Sequence, residues 1–222
     1  MSASTIEGPE IESMSARGFS EYNHEQQRSL TAILKAFENL RPSEVERLKE
    51  SIQPYIHLRR ALEEYNRCYF GAVCKRVCFE TGLSACCGFE SIVTFFADHV
   101  INFLLSRPDE ISAMMRAVSH PNRSEKCVYL GREGCLWSMS PVSCAMFFCD
   151  AAKKTVFEEH PEAESMLQGF RDSEKKFTWP TKPVLFDQLE KTFMGLGVES
   201  PHLYFHCSPG LLRLKAKAGL QT

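Results

Sequence analysis

The distribution of cysteine is the feature of this sequence that most constrains its fold and function. The chain has 222 residues and 10 cysteines, and all but Cys207 lie between residues 68 and 149. In a compartment that keeps thiols reduced, clustered cysteines are better interpreted as metal ligands or redox groups than as disulfides. The sequence therefore predicts that any functional site is centred on residues 68–149.

The cysteines of this region fall into two groups separated by an apolar segment. The first group is Cys68, Cys74, Cys78, Cys86 and Cys87, and the second is Cys127, Cys135, Cys144 and Cys149. Cys74 and Cys78 are four residues apart, which on a helix places their sulfur atoms on one face, one turn apart. Adjacent cysteines point in different directions. Cys86 and Cys87 are therefore expected to serve two metal ions, or two atoms of one cluster.

The order of the cysteines also carries a family resemblance. The chain reads C-x3-C-x7-C-C, an apolar helix, and then C-V-Y-L-G-R-E-G-C, P-x-x-C and F-x-C, over about residues 74–149. This pattern resembles the YkgJ-like family of zinc- or iron-chelating cysteine-cluster proteins. The resemblance implies metal-ligand roles for Cys74, Cys78, Cys86, Cys87, Cys127, Cys135, Cys144 and Cys149. Cys68 and His99 are further candidates.

The ligand set leaves the metal open between zinc and iron. Eight thiolates can hold two zinc ions with four sulfur ligands each, or one iron–sulfur cluster with cysteines to spare. The C-x2-C pair that most strongly indicates structural zinc is missing from the region. Its absence slightly favours iron, or a site with both metals, over zinc. The alternative without metal is that the cysteines are small buried hydrophobic residues.

Two kinds of function are compatible with such a site. One is a metal-binding protein that acts as a chelator, a carrier or a zinc-stabilised interaction module. The other is an iron–sulfur redox protein or an enzyme that uses the cluster. The sequence contains none of the common nucleotide-binding, hydrolase or metalloprotease motifs. Catalysis, catalytic residues and a substrate therefore stay unassigned.

Apolar residues recur at helical spacing along most of the chain, and strand-like alternation is nearly absent. The sequence therefore predicts a mainly α fold, with a single helical domain organised around a cysteine-rich metal site. Residues 1–22, which are rich in acidic and small polar side chains, are expected to form a disordered tail. The helical domain is expected over 23–222, with its cysteine-cluster core at 68–149.

Local signals predict several element boundaries. Asn23 and Gln26 are candidates to cap the first helix, and Pro54 is expected to kink or break the second. The segment Phe89–Leu105 is apolar nearly all round and predicts a central buried helix. Strands are expected, if anywhere, only at Cys127–Leu130 and His202–Phe205.

Charge and hydropathy argue against nucleic-acid and membrane partners. The formal net charge is −2, so no global positive field is available for phosphate contacts. The apolar segment Phe89–Leu105 carries Glu90, Asp98, His99 and Asn102, too many polar groups for a membrane span, and no basic and apolar leader begins the sequence. We expect a cytoplasmic protein whose one basic stretch, Leu211–Leu220, is solvated. A metal ion is the predicted partner, and protein partners and oligomeric state stay open.

Overall fold

The structure is a computed structural model. It describes residues 11–88, 93–120, 126–179, 182–203, 213, 215–217 and 219–220, with side chains from residue 21 onwards. Its α-helices are α1 (Ile11–Asn39), α2 (Pro42–Tyr65), α3 (Gly71–Cys74), α4 (Phe96–Leu105), α5 (Pro108–Val118), α6 (Val142–Ala145), α7 (Asp150–Glu159), α8 (Pro161–Thr178) and α9 (Leu185–Gly195). Two short antiparallel strands, β1 (Leu130–Gly131) and β2 (Gly134–Cys135), form a hairpin. The predicted mainly α class is confirmed.

The larger hydrophobic core surrounds α4. Every residue from Phe96 to Leu104 is buried, and α4 packs against α1, α2 and α9. Apolar residues around the whole circumference of a helix require neighbours on all sides, which explains its central position. Within the described residues, no helix is both long and apolar enough to cross a lipid bilayer.

A smaller hydrophobic core lies where the end of α2 meets α7 and α8. Tyr65 and Phe70 pack there with Phe148, and the rings of Phe70 and Phe148 stack with centroids 3.7 Å apart. Cys74 and Cys149 pack against the edge of this core. One end of the cysteine region is thereby attached to a second, separate apolar cluster.

The structure differs from the predictions near the first two helices. Helix α1 begins at Ile11, so the predicted tail boundary at residue 22 falls inside it, and residues 1–10 lie outside the described part. Asn23 and Gln26 are interior to α1 and buried rather than capping, because each forms hydrogen bonds with distant parts of the chain. The predicted break at Pro54 is wrong, because α2 continues to Tyr65, and the alternative of a kink stays a prediction. Pro54 lies on the exposed side of the helix, where water can solvate the carbonyl group that loses its partner.

The predicted central helix is shorter than Phe89–Leu105. Residues 93–95 are not helical, and residues 89–92 lie outside the described part. The helix begins at Phe96 because the Asp98 carboxylate accepts a hydrogen bond from the backbone N–H of Phe95 at 3.1 Å, which satisfies a free amide of the first turn. Burial of the helix is confirmed.

Both strand predictions need correction. The hairpin pairs Leu130 with Cys135, so only one residue of Cys127–Leu130 is in a strand. His202 lies in a 3-10 turn, Pro201–Leu203, where Leu203 is buried, and residues 204–205 lie outside the described part. These short elements depend on non-local contacts, which alternation of residue types does not encode.

The basic C-terminal stretch is not uniformly solvated, contrary to the prediction. Arg213 and Lys217 are exposed. Lys215 is only 5% exposed, and its Nζ lies 2.5 Å from Oδ2 of Asp187 in α9. The ion pair attaches this part of the chain to the larger core.

Candidate metal centre

The first cysteines lie on an irregular helical segment. Cys74 ends α3, and Cys78 lies in a π-helical turn, Lys75–Phe79, that directly follows. Ser84 then adopts a left-handed conformation with φ of 38°, which costs roughly 1–3 kcal/mol for a residue with a side chain. This reversal places the backbone N–H of Ala85 3.1 Å from the Cys78 sulfur. Such π turns and strained residues occur often at functional sites.

Backbone hydrogen bonds join the two cysteine segments. The N–H of Cys127 donates to the carbonyl of Cys87 at 2.7 Å, and Gly88 and Lys126 form an isolated antiparallel bridge. The β1–β2 hairpin then returns the chain at Gly134, whose φ of 117° suits glycine. The cysteine doublet and the second group of cysteines are therefore held side by side.

Four thiols make up what we call the first set: Cys74, Cys78, Cys86 and Cys149. Burial, and then the neighbouring Cys86, Cys149 and Cys78, raise the pKa of Cys74 to about 11. Burial also raises the pKa of Cys86; a hydrogen bond from the Cys149 backbone lowers it, and the thiols of Cys149, Cys78 and Cys87 raise it. The electrostatic coupling shows that residues 74–86 and Cys149, distant in sequence, lie near one another.

The other four thiols make up the second set: Cys87, Cys127, Cys135 and Cys144. Burial, with smaller contributions from Cys135, Cys87 and Cys144, raises the pKa of Cys127 to about 12. Burial raises the pKa of Cys144 to about 11, with contributions from Cys135 and Cys87. Burial, and then the Cys78 thiol of the first set, raise the pKa of Cys87, and the cation of Lys126 lowers it. Cys87 thus lies next to thiols of both sets, and we place it in the second because it lies near Cys127, Cys135 and Cys144.

The eight predicted ligands lie in neighbouring groups, but their sulfur atoms do not converge on a common point. The nine cysteines of the described part are free thiols, and Cys207 lies outside that part. No three His, Cys, Asp or Glu side chains among the described residues are positioned to hold a metal ion. Neutral thiols gain nothing from converging. Closure on a metal would require deprotonation and side-chain rotation, for which cysteine has three rotamers.

The two further candidates differ in position. Cys68 is exposed, and its thiol donates a hydrogen bond to the Glu64 carboxylate at 3.2 Å, away from both sets. His99 is fully buried, and its ring stacks on that of His202 and meets the edge of Trp137. Neither ring nitrogen of His99 has a hydrogen-bond partner among the described residues. His99 therefore lies within an aromatic layer formed with Trp137 and His202.

A buried carboxylate positions the helix that carries Cys144. Asp98 in α4 accepts a hydrogen bond from the N–H of Val142, the first residue of α6, at 3.3 Å. Burial raises the pKa of Asp98 to about 6, opposed by backbone hydrogen bonds and by the Arg59 cation. No local sequence pattern indicates this link, because Asp98 and Val142 are separated by 44 positions.

Sequence analysis also missed a polar network behind the second set. The Gln26 amide nitrogen donates to Thr94 and approaches Nε2 of His202, while Tyr129 donates to the Gln26 carbonyl oxygen. Because an amide nitrogen can only donate, Nε2 of His202 accepts. The neutral ring therefore carries its proton on Nδ1 and donates to Ser29. The network links α1 to the loop between Cys127 and Cys135.

This network predicts a pH-dependent stability. Burial lowers the pKa of His202 to about 4, below its usual value of about 6.5. Between these values the unfolded chain binds a proton that the folded chain lacks, so the free energy of unfolding falls as pH decreases from about 6.5 to about 4. The contribution of His202 is about 3 kcal/mol. Urea unfolding should show that His202→Gln loses less stability over this window than the original chain.

Exposed His57 provides the matched control. The chain with His57→Gln should keep the original pH dependence, since its imidazole is in water in both states. Identical pH slopes for the original chain and His202→Gln would contradict a buried neutral His202.

Comparisons with known proteins do not assign a family. No family model, no curated protein and no solved structure matches the chain. The resemblance to the YkgJ-like family therefore stays a prediction that rests on the spacing of the cysteines.

Proposed function

We propose that this chain is a metal-binding protein whose eight clustered cysteines bind zinc or iron. The observation that supports the proposal most is the grouping of thiols from two distant segments into two neighbouring sets of four. Four thiolates complete a tetrahedral zinc site, and they equally suit iron or an iron–sulfur centre. One four-iron cluster alone would leave half of the thiols unused, so two sites per chain agree better with the grouping.

The surroundings of the thiols also suit a buried metal. Four thiolates around a divalent ion carry a net charge of −2, which requires nearby donors or cations. The Lys126 cation lies near Cys87, and the N–H of Ala85 donates to Cys78. The aromatic rings of Phe70, Phe148 and Trp137 pack close by. They would limit access of water to the site.

Metal analysis of the purified chain tests the proposal. Protein prepared without oxygen is expected to contain two metal equivalents, as zinc, iron or cluster iron. Cys86→Ser and Cys87→Ser are each expected to lower the metal content by about half, because each removes a ligand from one set. Cys68→Ser, which changes an exposed thiol outside both sets, should leave the metal content unchanged.

Elemental analysis with absorption spectroscopy separates the metals. A brown protein that absorbs near ~400 nm indicates iron–sulfur ligation, and a colourless protein with zinc indicates mononuclear thiolate sites. Preparations without stoichiometric metal, from cells supplied with both zinc and iron, would refute the proposal.

A further inference from the structure

A cavity of about 200 Å³ lies directly beside the second set of thiols. Its wall includes Cys135 and Trp137 from the hairpin region, Arg59, Glu63 and Asn66 from α2 and the turn that follows, and Ser140. Two other cavities have volumes of about 290 and 550 Å³. Among the described residues, none that lines either of them has a buried polar atom without a hydrogen-bond partner. Two of the residues that line the cavity beside Cys135, Arg59 and Asn66, each have one such atom.

The first of these atoms belongs to a buried cation. Arg59 is only 5% exposed. Its guanidinium donates to the hydroxyl of Tyr55 at 3.0 Å and to the carbonyl of Ser140 at 2.6 Å. A guanidinium has five N–H donors in a planar fork. Nε of Arg59 has no partner in the described part of the chain, so this cation retains donor capacity for a planar acceptor such as a carboxylate.

The second atom is an acceptor. The Asn66 amide nitrogen donates to the carbonyl of Ala145 at 2.9 Å, which fixes which end of the amide is oxygen. Oδ1 of Asn66 has no partner among the described residues, and the Glu63 carboxylate lines the same cavity. The cavity thus offers spare acceptors for a cationic donor beside its spare donors for a carboxylate.

The local charge limits what can bind. The Arg59 cation lies close enough to the buried Asp98 carboxylate to lower its pKa, and Glu63 adds a second negative group. A purely anionic ligand would leave these carboxylates without sufficient positive charge, and a purely cationic ligand would be opposed by Arg59. A zwitterion of no net charge satisfies both sides of the cavity.

We propose that this cavity binds a small α-amino acid or a compound of the same amino-carboxylate class. Its carboxylate accepts hydrogen bonds from Arg59, and its ammonium donates to Asn66 Oδ1 and Glu63. Because Cys135 lines the cavity, the bound compound lies next to the second set of thiols. The inference rests on the cavity itself and not on the presence of metal.

The fluorescence of Trp137 can be used to measure binding in the cavity. It lines the cavity, and the chain contains only one other tryptophan, Trp179, which is 52% exposed. Fluorescence of the full-length chain with Trp179→Phe can therefore be titrated with L-alanine, with acetate as its carboxylate half and with ethylammonium as its ammonium half. We expect saturable binding of L-alanine at least tenfold tighter than that of either half.

Variants of the cavity decide the assignment. Arg59→Lys should weaken L-alanine binding about tenfold, because an ammonium cannot replace the planar fork, while Arg60→Lys on the exposed face should have no effect. Glu63 is exposed, so the Glu63→Gln variant should fold. This variant should bind L-alanine more weakly than the original chain but bind acetate equally well. Absence of saturable L-alanine binding, acetate binding as tight as L-alanine, or equal L-alanine affinity in the original chain and Glu63→Gln would each overturn the proposal.

Metal content measured on the same samples separates this inference from the proposed function. Protein that contains metal but does not bind L-alanine refutes only the ligand assignment. Protein that binds L-alanine but contains no metal refutes only the metal-binding function.

Discussion

Removal of metal from the loaded protein is expected to accelerate amide hydrogen exchange in residues 75–88 and 126–149 by at least about a hundredfold. These segments contain two-residue strands, a 3-10 turn and a π turn, so few regular hydrogen bonds maintain them. Metal binding contributes free energy on the order of 10 kcal/mol in small zinc domains. We expect most of the order in these segments to depend on it.

The two hydrophobic cores should respond differently in this experiment. Helices α4 and α9 pack against each other, and α4 also packs against α1 and α2. Most buried residues of the larger core lie outside 126–149, so the amides of α4 and α9 should keep their protection. Hydrogen exchange measured by mass spectrometry, with and without a chelator, resolves the two regions. Unchanged exchange over 75–88 and 126–149 would refute a structural role for the metal, and unfolding of α4 and α9 as well would refute the independence of the larger core.

Replacement of Lys215 by methionine is expected to lower the free energy of unfolding by roughly 3–5 kcal/mol. The side chains of Lys215 and Asp187 are each only 6% exposed. Methionine retains most of the apolar stem but removes the charge that balances the buried Asp187 carboxylate. Urea unfolding at neutral pH measures the change.

Two variants test the cause of this loss. Lys217→Met alters an exposed lysine two residues away and should change stability by no more than about 0.5 kcal/mol. Combining Lys215→Met with Asp187→Asn should restore part of the loss, because the uncompensated charge is then absent. Equal stability of Lys215→Met and Lys217→Met would show that the buried pair does not form.

Local reasoning about the cysteine region does not extend to the way its parts connect. The expectations that Cys74 and Cys78 share a helix face and that Cys86 and Cys87 point in different directions depend only on chain geometry over a few residues. The division of thiols into two sets could not be anticipated. It depends on the bond from Cys127 N–H to the Cys87 carbonyl and on the position of Cys149 at the smaller core.

The contacts of buried polar side chains could not be predicted from neighbouring residues either. Gln26 suggested a helix cap from its neighbours in sequence, yet it belongs to a network with Tyr129 and His202. The sequence predicts a solvated Lys215 within its basic stretch, yet this residue is buried, and so is Arg59. Hydrophobic periodicity identifies which face of a helix turns inwards, but it does not identify the partners that stabilise an inward polar group.

The sequence by itself determined the helical class, the buried character of α4 and the concentration of thiols between residues 68 and 149. Helical periodicity and the types of ligand side chain depend only on which residues occur close together in the chain. Only the tertiary structure decided which thiols share a set, where the buried cations lie and that a cavity opens beside Cys135. Those features arise from contacts between residues far apart in the chain, and their free energy depends on burial and distance, neither of which residue order specifies.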